Sequence, residues 1–352
     1  MDSRLKPFID KALSRRTFLA GAGSVAAAGL ITGCADDNVT TITPPSSNTY
    51  TDLDILNFAL NLEYLEAQFY LYAATGKGLT AANTAAPSGY TGTYTMGTVT
   101  VGNSAMVAGT TTAQQQIINE IAAEEQEHVQ FLRAALGSAA VPMPSIDLSF
   151  FGPLALALTP AVAGFNPYAS FDAFLIGAFI FEDVGVTAYA GAAPLISAAG
   201  VTSGYLNYAA GILAVEAYHA AYIRTALTGR AISMGATSPT SSVYPYVGIA
   251  NQVEALRASL TVGNSGAPAP ATSDTGNTGA AGSSGTVEVA LNVPQSPTQA
   301  SAIVACDSAH AIGFARNVNQ VHHIVYGSPK VGVKSGGFFP NGTNSIFSTT
   351  TA

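Results

Sequence analysis

The 352-residue chain has no tryptophan, two cysteines, and only 13 basic against 21 acidic side chains. Each scarcity excludes something. Two cysteines, Cys34 and Cys306, cannot staple a small secreted scaffold. A net charge of -8 offers no electrostatic footprint for nucleic acid. Setting aside residues 1–33, with five basic and two acidic residues, leaves 8 against 19, or -11, so no nucleic-acid partner is expected. Charged residues make up 10% of the chain and apolar ones 48%, which points to long buried helices joined by Gly-, Ser-, Thr- and Ala-rich loops. At this length one large domain, with or without a small appendage, is expected.

What the chain does have begins with a targeting pattern. Ser14-Arg15-Arg16-Thr17-Phe18-Leu19 matches a twin-arginine signal, and the apolar run from Phe18 to Gly33 is too short to span a bilayer comfortably. Ile31-Thr32-Gly33-Cys34 has the form of a lipobox, which makes Cys34 the expected lipidation site. The expected organisation is a signal peptide over 1–34, a tether over 35–50, a four-helix bundle over 51–228, a flexible insertion over 229–296, and C-terminal helices with a tail over 297–352. Export to the periplasm or cell envelope follows, with membrane contact only through the signal or a lipid anchor.

Two stretches carry the chemistry: Glu125-x-x-His128 and Glu216-x-x-His219, each inside an apolar helical pattern. Residues three apart on an α-helix differ by about 60° around the axis and about 4.5 Å along it, so the two side chains can share one metal ion. Each is preceded by a helix with a Glu in its apolar face. The first helix is expected from Thr51 to Ala74, with a Thr51–Asp54 capping box, a Gly76 stop, and Glu63 and Glu66 on the apolar face. The third, from Phe171 to Ala192, carries Glu182 and Asp183 at its middle; a membrane span is the bland alternative, but central charges argue for a buried bundle helix. The second runs from Thr112 to Leu136, capped by Thr112 with Gln115, and the fourth from Ser203 to Leu227. A hairpin is expected within Lys77 to Ala108, a long crossover over Ser138 to Ala169, and short helices at Ile249–Leu260, Ala300–Arg316 and Val318–Tyr326.

The halves echo each other. Glu63 with Tyr70, then Glu125-x-x-His128, parallels Glu182 with Tyr189, then Glu216-x-x-His219. Buried carboxylates cost several kcal/mol each when uncompensated, and no Lys or Arg lies on these faces; Arg133 and Arg224 fall toward helix ends. Two divalent ions, iron or manganese, would balance four glutamates. Glu125 and Glu216 are expected to bridge them, His128 and His219 to cap one each, and Glu182 with Glu63 or Glu66 to supply terminal carboxylates. Glu63 leads, because its spacing to Tyr70 matches that of Glu182 to Tyr189. Tyr70 and Tyr189 would donate hydrogen bonds to ligands. Glu120, Glu124 and Glu127 read as a solvated face, His310, His322 and His323 as lying outside the site, and Cys306 as a buried apolar thiol.

The stretch Leu56-Asn57-Phe58-Ala59-Leu60-Asn61-Leu62-Glu63-Tyr64-Leu65-Glu66-Ala67, both Glu-x-x-His pairs and Glu182-Asp183-Val184-Gly185-Val186-Thr187-Ala188-Tyr189 resemble the ferritin-like superfamily, in its desiccation-related branch. Phe314-Ala315-Arg316, Ile324-Val325-Tyr326 and Gly336-Gly337-Phe338-Phe339-Pro340 are similar to the same branch. The resemblance implies an all-α ferritin-like bundle with a di-iron or di-manganese centre, and no settled activity. Three functions are open: oxidative chemistry on dioxygen or peroxide, a stress-protective envelope scaffold, and iron storage by assembly. The inserted segments speak against a hollow cage, and the oligomer, a homodimer among the options, is left open.

Overall fold

A computed structural model describes residues 50–102, 106–261, 287–296, 298–299, 302–307 and 311–350. The expected signal peptide with Cys34, the tether up to residue 49, most of the Gly/Ser-rich stretch after 261, and His310 lie outside the described residues.

Helix α1, Asp52–Thr75, starts where Thr51 Oγ1 accepts from Asp54 N–H and the Asp54 carboxylate accepts from Thr51 N–H, and stops at left-handed Gly76. It is buried continuously from Ile55 to Tyr70, so it has little amphipathic character and forms the centre of the molecule. Its buried amides are consumed by other segments. Asn57 Nδ2–H donates to Ala139 O while Asn57 Oδ1 accepts from Val141 N–H, both at 3.0 Å. Asn61 makes the matching pair with the backbone of Asn344 in the tail. These amides staple the crossover and the tail onto α1, as the rule that buried polar groups find partners requires.

After the one-turn α2 (Ala81–Thr84) and strand β1 (Val99–Thr100) comes α3, Thr112–Leu136. Its capping box uses Thr111 and Gln114, one residue earlier than the sequence suggests, because Gln115 is engaged with Ala74 O and Thr110. The crossover holds β2 (Ile146–Asp147) and α4 (Phe151–Leu156). Helix α5, Phe171–Ala192, is capped by Ser170. It is long and apolar enough to cross a membrane, yet 89% of its most apolar window is buried inside the protein, which makes it a core helix. Then follow α6 (Ala198–Thr202), α7 (Tyr205–Ser233), α8 (Tyr246–Thr261) and α9 (Val318–Val325), the last capped by Asn317 with Gln320. Helix α1 packs along α3 and α5 along α7; these pairs join through α1 and α5, with α8 and α9 laid against α5. The fold is all-α in character, with one two-stranded sheet among the described residues.

Two expected elements are replaced. In place of a hairpin within Lys77 to Ala108, β1 pairs in parallel with β2, Val99 opposite Ile146. The strand-like alternation is satisfied by a distant neighbour: Gly97 N–H donates to Met143 O and Ile146 N–H to Thr98 O. Only glycine fits at 97, where a Cβ would lie 2.1 Å from Ser145 N. The helix expected over Ala300–Arg316 is irregular wherever described, with a single bridge from half-buried Cys306 to Gly313. Its backbone is drawn onto α5 instead, where Arg316 N–H donates to Thr187 O at 2.8 Å and Gly191 leaves room for the Arg316 carbonyl. Helix α7 also runs six residues past the expected Leu227, because Ala231 continues its buried stripe.

Candidate metal centre

The four long helices α1, α3, α5 and α7 each aim one glutamate at a common point. Glu63, Glu125, Glu182 and Glu216 are at most 1% exposed, and His128 and His219 are buried beside them. His128 Nδ1 lies 3.2 Å from Glu63 Oε2, 3.4 Å from Glu125 Oε2 and 3.5 Å from Glu216 Oε1. His219 Nδ1 lies 3.0 Å from Glu125 Oε1 and 3.5 Å from Glu182 Oε2. Two groups of four ligands result: Glu63, Glu125, His128 and Glu216, and Glu125, Glu182, Glu216 and His219, each with ligand atoms within 4.8 Å of one another. Glu125 and Glu216 belong to both, the positions that bridging ligands would occupy. The structure thus brings together Glu63, Glu125, His128, Glu182, Glu216 and His219. Glu66 is buried beside them but belongs to neither group.

The tyrosines are exchanged between halves. Tyr70 of α1 donates to Glu182 Oε1 of α5, and Tyr189 of α5 donates to Glu63 Oε1 of α1. Spacing along each helix suggested a partnership within a half; the α1–α5 contact makes it reciprocal across halves. Each phenol occupies one oxygen of its glutamate and leaves the other, Oε2, without a hydrogen-bond partner inside the site.

No lysine or arginine balances this charge: the salt bridges of these glutamates are to His128 and His219 alone among the described residues. Burial and the neighbouring Glu216, Glu125, Glu63 and Glu182 charges raise Glu66 well above the usual carboxylate range. Burial and the Glu125 and Glu182 charges do the same to Glu216. Burial also raises Glu63 and Glu182, against the opposing pull of His128 and His219. Glu125 goes the other way: burial would raise it, but the imidazoles on either side bring it down to about 2. For the histidines burial acts downward and is outweighed by the carboxylates, which raise His128 and bring His219 to about 12. The cluster clings to protons wherever no other cation neutralises it.

Two contributors escape a reading of the sequence. Glu124, assigned there to the solvated face of the second helix, instead places Oε2 2.6 Å from His219 Nε2 while remaining 39% exposed. Nothing in the helical pattern separates it from Glu120 and Glu127; only the approach of α7 does. Gly185 stands in α5 where Glu66 stands in α1, and a Cβ there would meet Glu216 Oε2 at 2.4 Å and Glu66 Oε1 at 3.2 Å. The second half therefore gives up its own second carboxylate to make room for that of the first. His322 and His323 are fully buried in α9 but approach Thr343 and Ser328 rather than carboxylates.

Sequence comparison agrees with this arrangement. The ferritin-like domain family matches residues 51–229, just over half of the chain. The chain belongs to the ferritin-like domain family. Among curated relatives of this ferritin-like protein, a desiccation-related protein of Craterostigma plantagineum is 31% identical over 201 residues, covering 56% of each chain. A ferritin-like catalase of Nesocodon mauritianus is 29% identical over 181 residues, covering 51% of this chain and 54% of that one. The chain spans about half the length of the curated relatives it matches. No solved structure matches it. Membership and the buried carboxylate–imidazole clusters together make this a site able to bind metal.

Proposed function

We propose that this is an exported ferritin-like protein that holds two iron or manganese ions between α1, α3, α5 and α7 and acts on dioxygen or peroxide. One observation carries the reading: nine ligand atoms of Glu63, Glu66, Glu125, His128, Glu182, Glu216 and His219 are buried without a hydrogen-bond partner, all in one place. Orphaned polar atoms are rare in folded proteins, and so many together mark a site built for cations. The donor set of carboxylate oxygens and imidazole nitrogens suits iron and manganese. Glu125 and Glu216 would bridge, Glu63 with His128 would complete one position, and Glu182 with His219 the other. Tyr70 and Tyr189 hold one oxygen each of Glu182 and Glu63, which would leave the other oxygen of each to bind an ion. Bound redox-active ions would supply the electron exchange that dioxygen or peroxide chemistry requires. The surrounding aromatic and aliphatic core keeps bulk water away from the carboxylates.

The similarity to a catalase favours peroxide as substrate; the similarity to a desiccation-related protein favours a stress-protective role in which the bundle is a scaffold. Elemental analysis of protein matured with its own leader, followed by oxygen release on adding hydrogen peroxide, separates them. About two ions per chain and metal-dependent oxygen release support the first. A folded protein that retains no metal when purified with iron and manganese present supports the scaffold and sinks the first. Replacing Arg15 and Arg16 by lysine tests export: precursor should accumulate in the cytoplasm, and normal export would refute the targeting assignment.

A further inference from the structure

The two ligand groups match residue for residue, with one difference in what lies behind the histidines. His219 Nδ1 faces the carboxylates, and its other nitrogen, Nε2, is 2.6 Å from Glu124 Oε2. His128 Nδ1 likewise faces the carboxylates, but among the described residues no acidic side chain lies within ion-pair distance of its Nε2. The reason is written in the chain. Glu124 precedes Glu125 in α3, and the residue that precedes Glu216 in α7 is Val215.

A carboxylate on the far nitrogen of an imidazole settles the tautomer. The proton stays on Nε2, the lone pair stays on Nδ1, and the ring becomes a better donor; losing such a partner typically weakens metal binding about 10- to 100-fold. We propose that Glu124 makes the two metal positions unequal: the ion at His219 binds more tightly and fills first, and the ion at His128 is the exchangeable one. This rests on the metal-centre reading above. Glu124 touches neither the ions nor the oxidant, so it is a positioning residue acting through His219. Its half-exposed carboxylate also lies at the outer edge of the site, where substitution disturbs little packing.

The test is titration of the chelator-treated full chain with Mn2+ alone, read by calorimetry and by the electron-spin signal of free Mn2+. The wild type should bind in two steps separated by about 10- to 100-fold. Glu124→Ala should weaken the tighter step and leave the weaker one, merging the two. Glu124→Gln, which keeps an acceptor for Nε2–H, should fall between. Val215→Glu, which gives His128 the missing partner, should tighten the weaker step. Two ions bound with equal affinity by the wild type, or both steps weakened alike in Glu124→Ala, would overturn the inference while leaving the metal centre intact. No binding by the wild type would overturn the metal-centre reading and this inference with it.

Discussion

Glu182 and Asp183 are consecutive residues of α5, and they serve two buried acidic clusters that solve the same problem in opposite ways. Neighbours on a helix point about 100° apart, so Glu182 faces the bundle interior and Asp183 faces Arg224 of α7, Arg257 of α8 and Glu288. On that second side the charge is balanced by the protein itself. Asp183 accepts from Arg224 at 2.6 Å and from Arg257 at 3.1 Å, and Glu288 accepts from Arg257 at 2.6 Å and from Arg316. Glu254 lies 3.3 Å from Arg224. Other guanidinium donors go to the carbonyls of Phe179, Ala302 and Val289 and to the Thr187 hydroxyl. Asp183, Glu254 and Glu288 are close enough to hold an ion, but three arginines already sit among them. On the first side there are five buried glutamates and, among the described residues, no arginine. Acid clustering alone therefore does not distinguish a site open to metal ions; the cluster without its own guanidinium groups is the one able to bind them.

The comparison can be broken most directly at the shared ligands. In the centre proposed above, Glu216→Ala should empty both metal positions, whereas Glu63→Ala should weaken mainly the one at His128, as metal content per chain would show. Equal losses would remove Glu216 from the bridging place proposed for it. Next comes stability. Arg257→Ala leaves Asp183 and Glu288 short of a buried partner and should cost about 3–5 kcal/mol in denaturant unfolding. Glu216→Gln in chelator-treated protein should cost nothing or stabilise, since burial and the Glu125 and Glu182 charges already disfavour a charge on that side chain and no arginine depends on it. A comparable loss from both substitutions would mean the two clusters do not differ as described.

A third buried site sharpens the contrast. His322 stacks on Tyr326 and meets the edge of Phe58, with no carboxylate in ion-pair distance among the described residues, and burial with the adjacent His323 pushes its imidazole down to about 3. The folded protein then resists a proton that the unfolded chain accepts near pH 6.5. Stability should fall as pH drops below 6.5, by about 1.4 kcal/mol per unit while the folded imidazole stays neutral. The difference between wild type and His322→Phe in denaturant unfolding at pH 6.5 and 4.5 isolates this contribution; no change in that difference would refute it. Smallest is Tyr70→Phe, which removes the donor to Glu182. Metal affinity should drop several-fold at the His219 position with little change at His128, and Tyr189→Phe should do the reverse. Affinity unchanged in both would show that the phenols only fill space.

Much of this was legible in advance where local signals and buried pattern agree. The Thr51–Asp54 box, Gly76 and the unbroken apolar run bound α1, and the ends of α5 follow from its hydrophobic stretch. The Glu-x-x-His pairs place their own side chains together because three residues of helix do so without help. Legibility ends where partners are remote. The alternation near Val99 looks like half of a hairpin, yet its backbone groups are met by the crossover. The pattern in 300–316 looks helical, yet its described residues are irregular, and at Arg316 backbone contact with Thr187 and burial of the side chain outweigh helix propensity.

The sequence by itself determined that four helices would each carry inward acid, and that no basic residue on those faces could neutralise it, since both depend only on residue type and helical period. Tertiary structure alone decided which carboxylate meets which imidazole, that each tyrosine serves the opposite half, and that Glu124 rather than Glu120 or Glu127 backs a histidine. Those contacts join residues dozens to more than a hundred positions apart, and their distances are set by how α1, α3, α5 and α7 settle against one another, which no local pattern records.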